Sequence, residues 1–240
     1  MHSPFVFQFI LHVLNNNSRY EAPVAIEALR RELLTDDRLL DIEDLGAGSR
    51  MHGRKQRTVK QLARTAVKPK KYGQLLYRLV KHYAPQTIVE LGTSLGLTTA
   101  YLAIANPSAS VITIEGSEAV HNVAKENIRS LNLTNIEALQ GNFDTVLPQA
   151  LQSVEKIDLG YVDGNHRLEP TLAYFDLFLQ KAHNNTILIF DDIHWSPEME
   201  QAWQQIQQHP AVRCTVDVFF LGFVFFRAEF KEKQHFTVRF

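Results

Sequence analysis

The apolar segment Thr87-Ile88-Val89-Glu90-Leu91 runs directly into a glycine turn, Gly92-Thr93-Ser94-Leu95-Gly96. A second apolar segment, residues 110–115, ends on an acid, Glu115. Glycine has no Cβ, so the chain at Gly92 can pass close to a ligand. A carboxylate at the end of the next strand can accept both hydroxyl protons of a ribose. Glu90, Gly92, Thr93, Ser94, Gly96 and Glu115 are thus candidates for holding an adenosine-type cofactor. The spacing is not the G-x-G-x-x-G of a dinucleotide site, because only Gly92 and Gly96 are present. Three more polar clusters close later apolar segments: Gln140-Gly141-Asn142-Phe143-Asp144, Asp163-Gly164-Asn165-His166 and Asp191-Asp192-Ile193-His194-Trp195. In an open parallel sheet, ligands bind at such carboxyl ends.

The elements that must position these clusters follow from the pattern of apolar residues. Ser3-Pro4 reads as a helix N-cap followed by proline in the first turn. Residues 5–14 are apolar on nearly every side, which requires burial in this core or against a partner, such as a second copy in a homodimer. A second helix beginning near Pro23 turns Ile26, Leu29, Leu33 and Leu34 inward, and residues 35–53 read as an irregular connection. Over 55–67, Val59, Leu62, Ala63 and Ala66 follow the i, i+3, i+4, i+7 rule of an amphipathic helix with a basic outer face, stopped by Pro69. Residues 72–83 form another helix. After Pro85, short apolar segments at 87–91, 110–115, 136–140, 157–162 and 186–190 alternate with helices. That alternation predicts an α/β fold with a mostly parallel, doubly wound, Rossmann-like sheet. Residues 212–220 and 223–228 are separated only by Leu221-Gly222, which predicts an antiparallel hairpin at the C-terminal sheet edge. The expected division is a helical extension or lid over 1–70 and a cofactor-binding domain over 71–240.

The ordered stations resemble those of class I S-adenosylmethionine-dependent methyltransferases, over roughly residues 70–228. The resemblance implies a seven-stranded sheet with one reversed edge strand. Within that class, Glu90-Leu91-Gly92-Thr93-Ser94-Leu95-Gly96 is similar to the first motif of the catechol and caffeoyl-coenzyme A O-methyltransferases. It implies that Glu90 to Gly96 wrap the methionine end of S-adenosylmethionine, that Glu115 takes the ribose, and that Asn142 and Phe143 frame the adenine. In that group an Asp after the fourth strand and an acid-amide pair after the fifth hold a divalent metal. Asp163, Asp191 and Asp192 match these stations, and Asp163 is implied to be catalytic and to contact the cofactor as well. Three carboxylates suit a hard cation such as Mg²⁺. The group's lysine three positions past the first metal Asp is replaced by His166, which resembles the macrocin-type sugar O-methyltransferases, and this implies a histidine base. Blander readings stand beside these. Asp191 and Asp192 could end a strand and cap a turn, and His166 could bond backbone at the surface. His194 and Trp195 could line an acceptor pocket, or Trp195 could be core. Asp44-Leu45-Gly46-Ala47-Gly48-Ser49 looks like a second glycine motif, but no apolar strand precedes it; it reads as a turn, or else as a lid hinge or substrate loop.

Composition narrows the function classes. The chain has 240 residues, 45% of them hydrophobic, and a single cysteine, Cys214, so no intrachain disulfide is available. A reducing, cytoplasmic home is the expectation. No signal peptide is read at the N-terminus, and no apolar run approaches a membrane span. The net charge is −1, but residues 50–71 carry nine of the 25 basic residues and no acid. This segment is either the solvated face of a helix or an anion-binding lid for a small, anionic acceptor. Nucleic acid is the less favoured partner, because no binding module is recognisable. The expected activity is O-methylation of a small-molecule hydroxyl with divalent-metal assistance. The alternatives are a nucleic-acid or protein methyltransferase docking through 50–71, and a non-catalytic Rossmann-like binding protein.

Overall fold

The computed structural model describes residues 3–16, 23–43 and 54–240. Helix α1 (Pro4–Phe9) opens with Ser3, whose hydroxyl accepts from the Val6 amide, and continues as one π-helical stretch, Ile10–Leu14. Then come α2 (Pro23–Leu33), β1 (Leu39–Glu43), β2 (Arg54–Thr58), α3 (Val59–Thr65) and α4 (Lys70–Tyr83). The alternating part runs β3 (Thr87–Leu91), α5 (Leu97–Ala105), β4 (Ser110–Glu115), α6 (Glu118–Ser130), β5 (Ile136–Gln140), α7 (Phe143–Gln152), β6 (Leu159–Val162), α8 (Leu168–Leu179), β7 (Ile187–Asp191) and α9 (Pro197–Gln208). Strands β8 (Cys214–Asp217), β9 (Leu221–Phe225) and β10 (Gln234–Thr237) close the chain.

The large sheet has the order β10-β8-β9-β7-β6-β3-β4-β5. Strands β7, β6, β3, β4 and β5 are mutually parallel, and β9 is antiparallel to both β7 and β8. The chain winds outward from β3 through β4 to β5, then returns to place β6 on the other side of β3. The switch point therefore lies between β3 and β6, where the carboxyl ends diverge and leave a crevice. Side chains alternate along the strands: Ile88, Val111, Leu159 and Ile187 face α1 to α5, while Val89, Ile112, Val162 and Leu188 face α7, α8 and α9.

Three features differ from the sequence expectation. The sheet has eight strands rather than seven, because β10 adds in parallel to the outer side of β8. The hairpin turn lies at residues 218–220, so β9 sits inside the sheet and Leu221-Gly222 begin it. Residues 39–43 and 54–58 form a separate antiparallel pair, with Leu39 opposite Thr58, where a connection and the start of a helix were expected. Helix α3 begins only at Val59, because Thr58 caps it reciprocally with Gln61: the Gln61 amide donates to Thr58 Oγ1 and the Thr58 amide to Gln61 Oε1. The Asp44–Ser49 glycine motif lies outside the described residues.

The apolar first helix is buried in this chain's own core through Val6, Phe9, Val13 and Leu14. The Phe9 ring meets Phe223 and Phe225 edge-on at 5.1 and 5.7 Å. Residues before β3 thus share one hydrophobic core with the sheet. Arg38, just before β1, reaches Glu126 on α6 at 2.8 Å and so ties the small hairpin beside the crevice.

Candidate active site

A cavity of about 740 Å³ opens at the switch point. The carboxyl ends of β3, β4, β5 and β6 and the loops after them form its floor, through Gly92, Ser94, Glu115, Asn142, Phe143, Asp163 and His166. Its other wall comes from the N-terminal region: Ile42, Arg57, Leu62, Arg64, Thr65 and Lys68.

The floor begins with Gly92, whose φ is +96°. A Cβ there would lie 1.9 Å from the Asp163 carbonyl oxygen, so the close approach of the β3 and β6 ends admits only glycine. The amides of Gly92 and Thr93 both donate to the Ile114 carbonyl, which ties the turn to β4. Gly96 (φ +79°) then starts α5. At the end of β4, Glu115 accepts the Ser94 amide on Oε2 at 2.8 Å and the Ser117 amide on Oε1 at 3.0 Å. Burial pushes its carboxyl up; the amide bonds oppose this. Each oxygen keeps a lone pair for a further donor, which is what a ribose diol requires. Asn142 caps α7 by accepting the Asp144 amide at 2.8 Å, and Phe143 packs edge-on against Tyr174 and close over Gly164. A flat aromatic face at the wall beside a carboxylate floor fits an adenosine moiety.

Three expected cofactor contacts, Glu90, Thr93 and Gly96, lie outside the cavity lining. Glu90 faces the core side of β3 and is fully buried beneath α5. Its Oε2 accepts from Thr99 at 2.5 Å and Thr113 at 2.7 Å, while its Oε1 has no hydrogen-bond partner. Burial raises its pKa to about 7. Thr93 is likewise buried, bonded to Thr113 at 2.6 Å. Glu90, Thr93 and Gly96 therefore shape the turn from below and are not part of the cavity wall.

At the β6 and β7 ends the arrangement differs from the one the family resemblance implies. The Lys68 ammonium lies 2.5 Å from Asp191 Oδ2 and 3.0 Å from Asp192 Oδ1. Asp191 has no exposed side-chain surface, and neither of its oxygens makes a hydrogen bond, so it meets Lys68 as an ion pair. Burial pushes the Asp191 and Asp163 carboxyls above the usual carboxylate range, Asp191 further because Asp163 lies beside it. Burial works against the Lys68 charge, but Asp191 and Asp163 outweigh it and hold the ammonium above the ordinary lysine range. A divalent metal on Asp163, Asp191 and Asp192 does not fit this set as it stands, and that expectation is corrected. The position a cation would take is filled by a cation the chain supplies. Among the described residues, no three His, Cys, Asp or Glu side chains are grouped to hold a metal.

His166 lies 3.6 Å from Asp163 Oδ1 through Nε2, and burial depresses its pKa, leaving the ring neutral near pH 7. Its φ is +28°, and Ser94, Asn165 and Asp192 also have positive φ. All four line the one cavity, which is where backbone strain tends to be held for function. His194 is turned away and bonds Asp217 Oδ2 at 2.8 Å. Trp195 is 73% exposed and lies on the rim with Phe220, so it is not core. Sequence reasoning missed Arg57, Arg64 and Lys68 as individual wall residues. Their signal was the acid-free basic run at 50–71.

Comparison with known proteins agrees with this fold. Residues 89–193 match a family model described as a methyltransferase domain. The chain is 34% identical over 116 residues to the transmembrane O-methyltransferase homologs of Rattus norvegicus and Mus musculus. That match takes in 46% of this chain and 43% of each relative, so the chain spans under half the length of these curated relatives. Among the described residues, no helix is long and apolar enough to cross a membrane. An O-methyltransferase from Bacillus cereus, solved in complex with SAH, superposes with a TM-score of 0.59 at 19% identity, covering 92% of this chain and 97% of that one. The O-methyltransferase TomG from Streptomyces achromogenes, solved with SAM, gives 0.61 at 16% identity, covering 93% and 95%. Residues 89–193 thus resemble a methyltransferase domain, and the fold of the chain is that of these solved O-methyltransferases.

Proposed function

We propose that the protein transfers the methyl group of S-adenosylmethionine to a hydroxyl of a small, anionic acceptor. The observation that carries this reading is the convergence of Gly92, Ser94, Glu115, Asn142, Phe143 and His166 on one cavity whose other wall holds Arg57, Arg64 and Lys68. S-adenosylmethionine supplies an activated methyl on a sulfonium, so the protein's tasks are alignment and activation of the acceptor oxygen. Glu115 holds the ribose, and Asn142 and Phe143 hold the adenine. His166, neutral near pH 7, takes the hydroxyl proton as the oxygen forms its bond to the methyl carbon and the carbon–sulfur bond breaks. Asp163 beside it steadies the resulting imidazolium. The three basic side chains face the cavity, which supports a small anion as acceptor over a nucleic acid laid across an outer face. Metal assistance is not carried into this reading, because Lys68 pairs with the carboxylates expected to bind the metal.

The test is a screen of hydroxylated carboxylates and sugar phosphates with methyl-labelled S-adenosylmethionine. Labelled ether product is expected with at least one of them. On that acceptor, His166→Ala should slow turnover by about a hundredfold or more while leaving S-adenosylmethionine affinity unchanged. Label appearing only in protein or nucleic acid would contradict the small-acceptor reading.

A further inference from the structure

We propose that Lys68 is the resident cation of this site: its ammonium permanently fills the position beside the Asp191 and Asp192 carboxylates, excludes a divalent metal, and holds the acceptor oxygen in the metal's stead. The part concerning the acceptor rests on the O-methyltransferase reading; the exclusion of metal does not.

Three observations carry it. First, the ammonium contacts the acid that ends β7 and the one just past it at once, Asp191 at 2.5 Å and Asp192 at 3.0 Å. A dication brought to the same oxygens would meet a fixed positive charge in a setting of low dielectric, where repulsion is least screened. Second, Lys68 is held by its backbone as well as by its charge. Its carbonyl accepts from Arg30 Nη1 at 2.9 Å. Arg30 is paired with Glu27 at 3.0 Å, and Glu27 in turn accepts from the buried Tyr101 hydroxyl at 2.6 Å. This chain of contacts runs from α5 through α2 to the loop between α3 and α4, so the lysine is built into the N-terminal wall and is not a surface side chain that has swung in. Its side chain is only 16% exposed. Third, an ammonium has three N–H donors in all, and two suffice for the aspartates. Lys68 and Asp192 both line the cavity, so the remaining donor is available to an acceptor oxygen. As that oxygen gives up its proton, a fixed positive charge beside it stabilises the developing anion, the same electrostatic service a metal would give.

The test uses the full chain, stripped of metal and saturated with S-adenosylhomocysteine, titrated with Mn²⁺ while free Mn²⁺ is followed by electron paramagnetic resonance. The wild type is expected to take up no Mn²⁺ to about 1 mM. Lys68→Ala frees the aspartates and is expected to bind Mn²⁺ at least about tenfold more tightly, while Lys68→Arg, which keeps the charge, stays blind to it. Wild type that binds Mn²⁺ as tightly as Lys68→Ala overturns the proposal. So does absence of binding by both, since the aspartates would then not form a cation position at all. Lys68→Ala leaves buried Asp191 without its counter-charge, so melting curves with and without Mn²⁺ run alongside. A rise in melting temperature on adding Mn²⁺, seen in the variant and absent from the wild type, reports the same gain. Lys68→Met, which keeps the aliphatic stem, replaces Lys68→Ala if the latter does not fold. Calorimetric binding of S-adenosylhomocysteine on the same samples separates the two claims: its loss in the wild type would sink the methyltransferase reading, whereas the Mn²⁺ result judges Lys68 alone.

Discussion

In the proposed function, single residues at the carboxyl ends of β3 and β4 hold the cofactor. Glu115 is already bonded to two backbone amides and still has acceptor capacity facing the cavity. Glu115→Ala should therefore weaken S-adenosylmethionine binding by about tenfold or more in calorimetry, the loss expected for hydrogen bonds to a charged group. Unchanged affinity would place the ribose elsewhere. Gly92→Ala should be harsher: the added methyl meets a backbone carbonyl at 1.9 Å and the backbone is left-handed. We expect a loss of about 2 kcal/mol or more in urea unfolding, together with loss of cofactor binding. Glu90 tests the interior. Its pKa rises from 4.5 to about 7 on folding, because burial disfavours its charge. Between these values the folded chain keeps a proton that the unfolded chain releases, so the residue's contribution is complete below pH 4.5 and is lost as pH rises through about 7. Glu90→Gln should thus gain on the wild type by up to about 3 kcal/mol from the acid to the alkaline side of this window, read from urea midpoints. A constant difference across pH would show that folding does not shift the Glu90 pKa.

Elements were legible in the sequence to the extent that their pattern was local. Four of the five parallel strands are near-continuous apolar runs ending in polar clusters, so their places, to within two residues, and the side of the sheet bearing the candidate site could be read. Gly222 misled, because its glycine looked like a turn. In the structure it is glycine so that the Trp203 ring can pack on β9, where a Cβ would meet Cη2 at 2.6 Å. Strand β10 was missed because only two of its four residues face inward and they are polar or isolated, as in Gln234 and Phe236. The β1–β2 pair was missed because Arg54–Thr58 continues the charge texture of α3, and the pairing partner lies across a connection the pattern does not describe. The partner of Lys68 lies 124 positions away at Asp192, which no local spacing can show. The boundary at Thr58 has its own test. Thr58→Ala removes the reciprocal cap of α3 and should cost about 1 kcal/mol in urea unfolding. A cost near zero would mean that α3 is fixed by packing of Val59 and Leu62 alone.

At the scale of the whole molecule, the sheet supplies a crevice at the switch between β3 and β6, and the residues before β3 supply the wall that closes it. That wall is basic while the rest of the chain is acidic, and it delivers its cations to the cavity. The sheet and the proposed cofactor station thus lie after Pro85, while the basic wall of the cavity lies before it. The most direct test of the central claim is calorimetric titration of the purified chain with S-adenosylmethionine, S-adenosylhomocysteine and NAD, for the wild type and Glu115→Ala. Micromolar binding of the first two, weakened in the variant, with none for NAD is the expected result. Binding of NAD alone, or of none of the three, would contradict it.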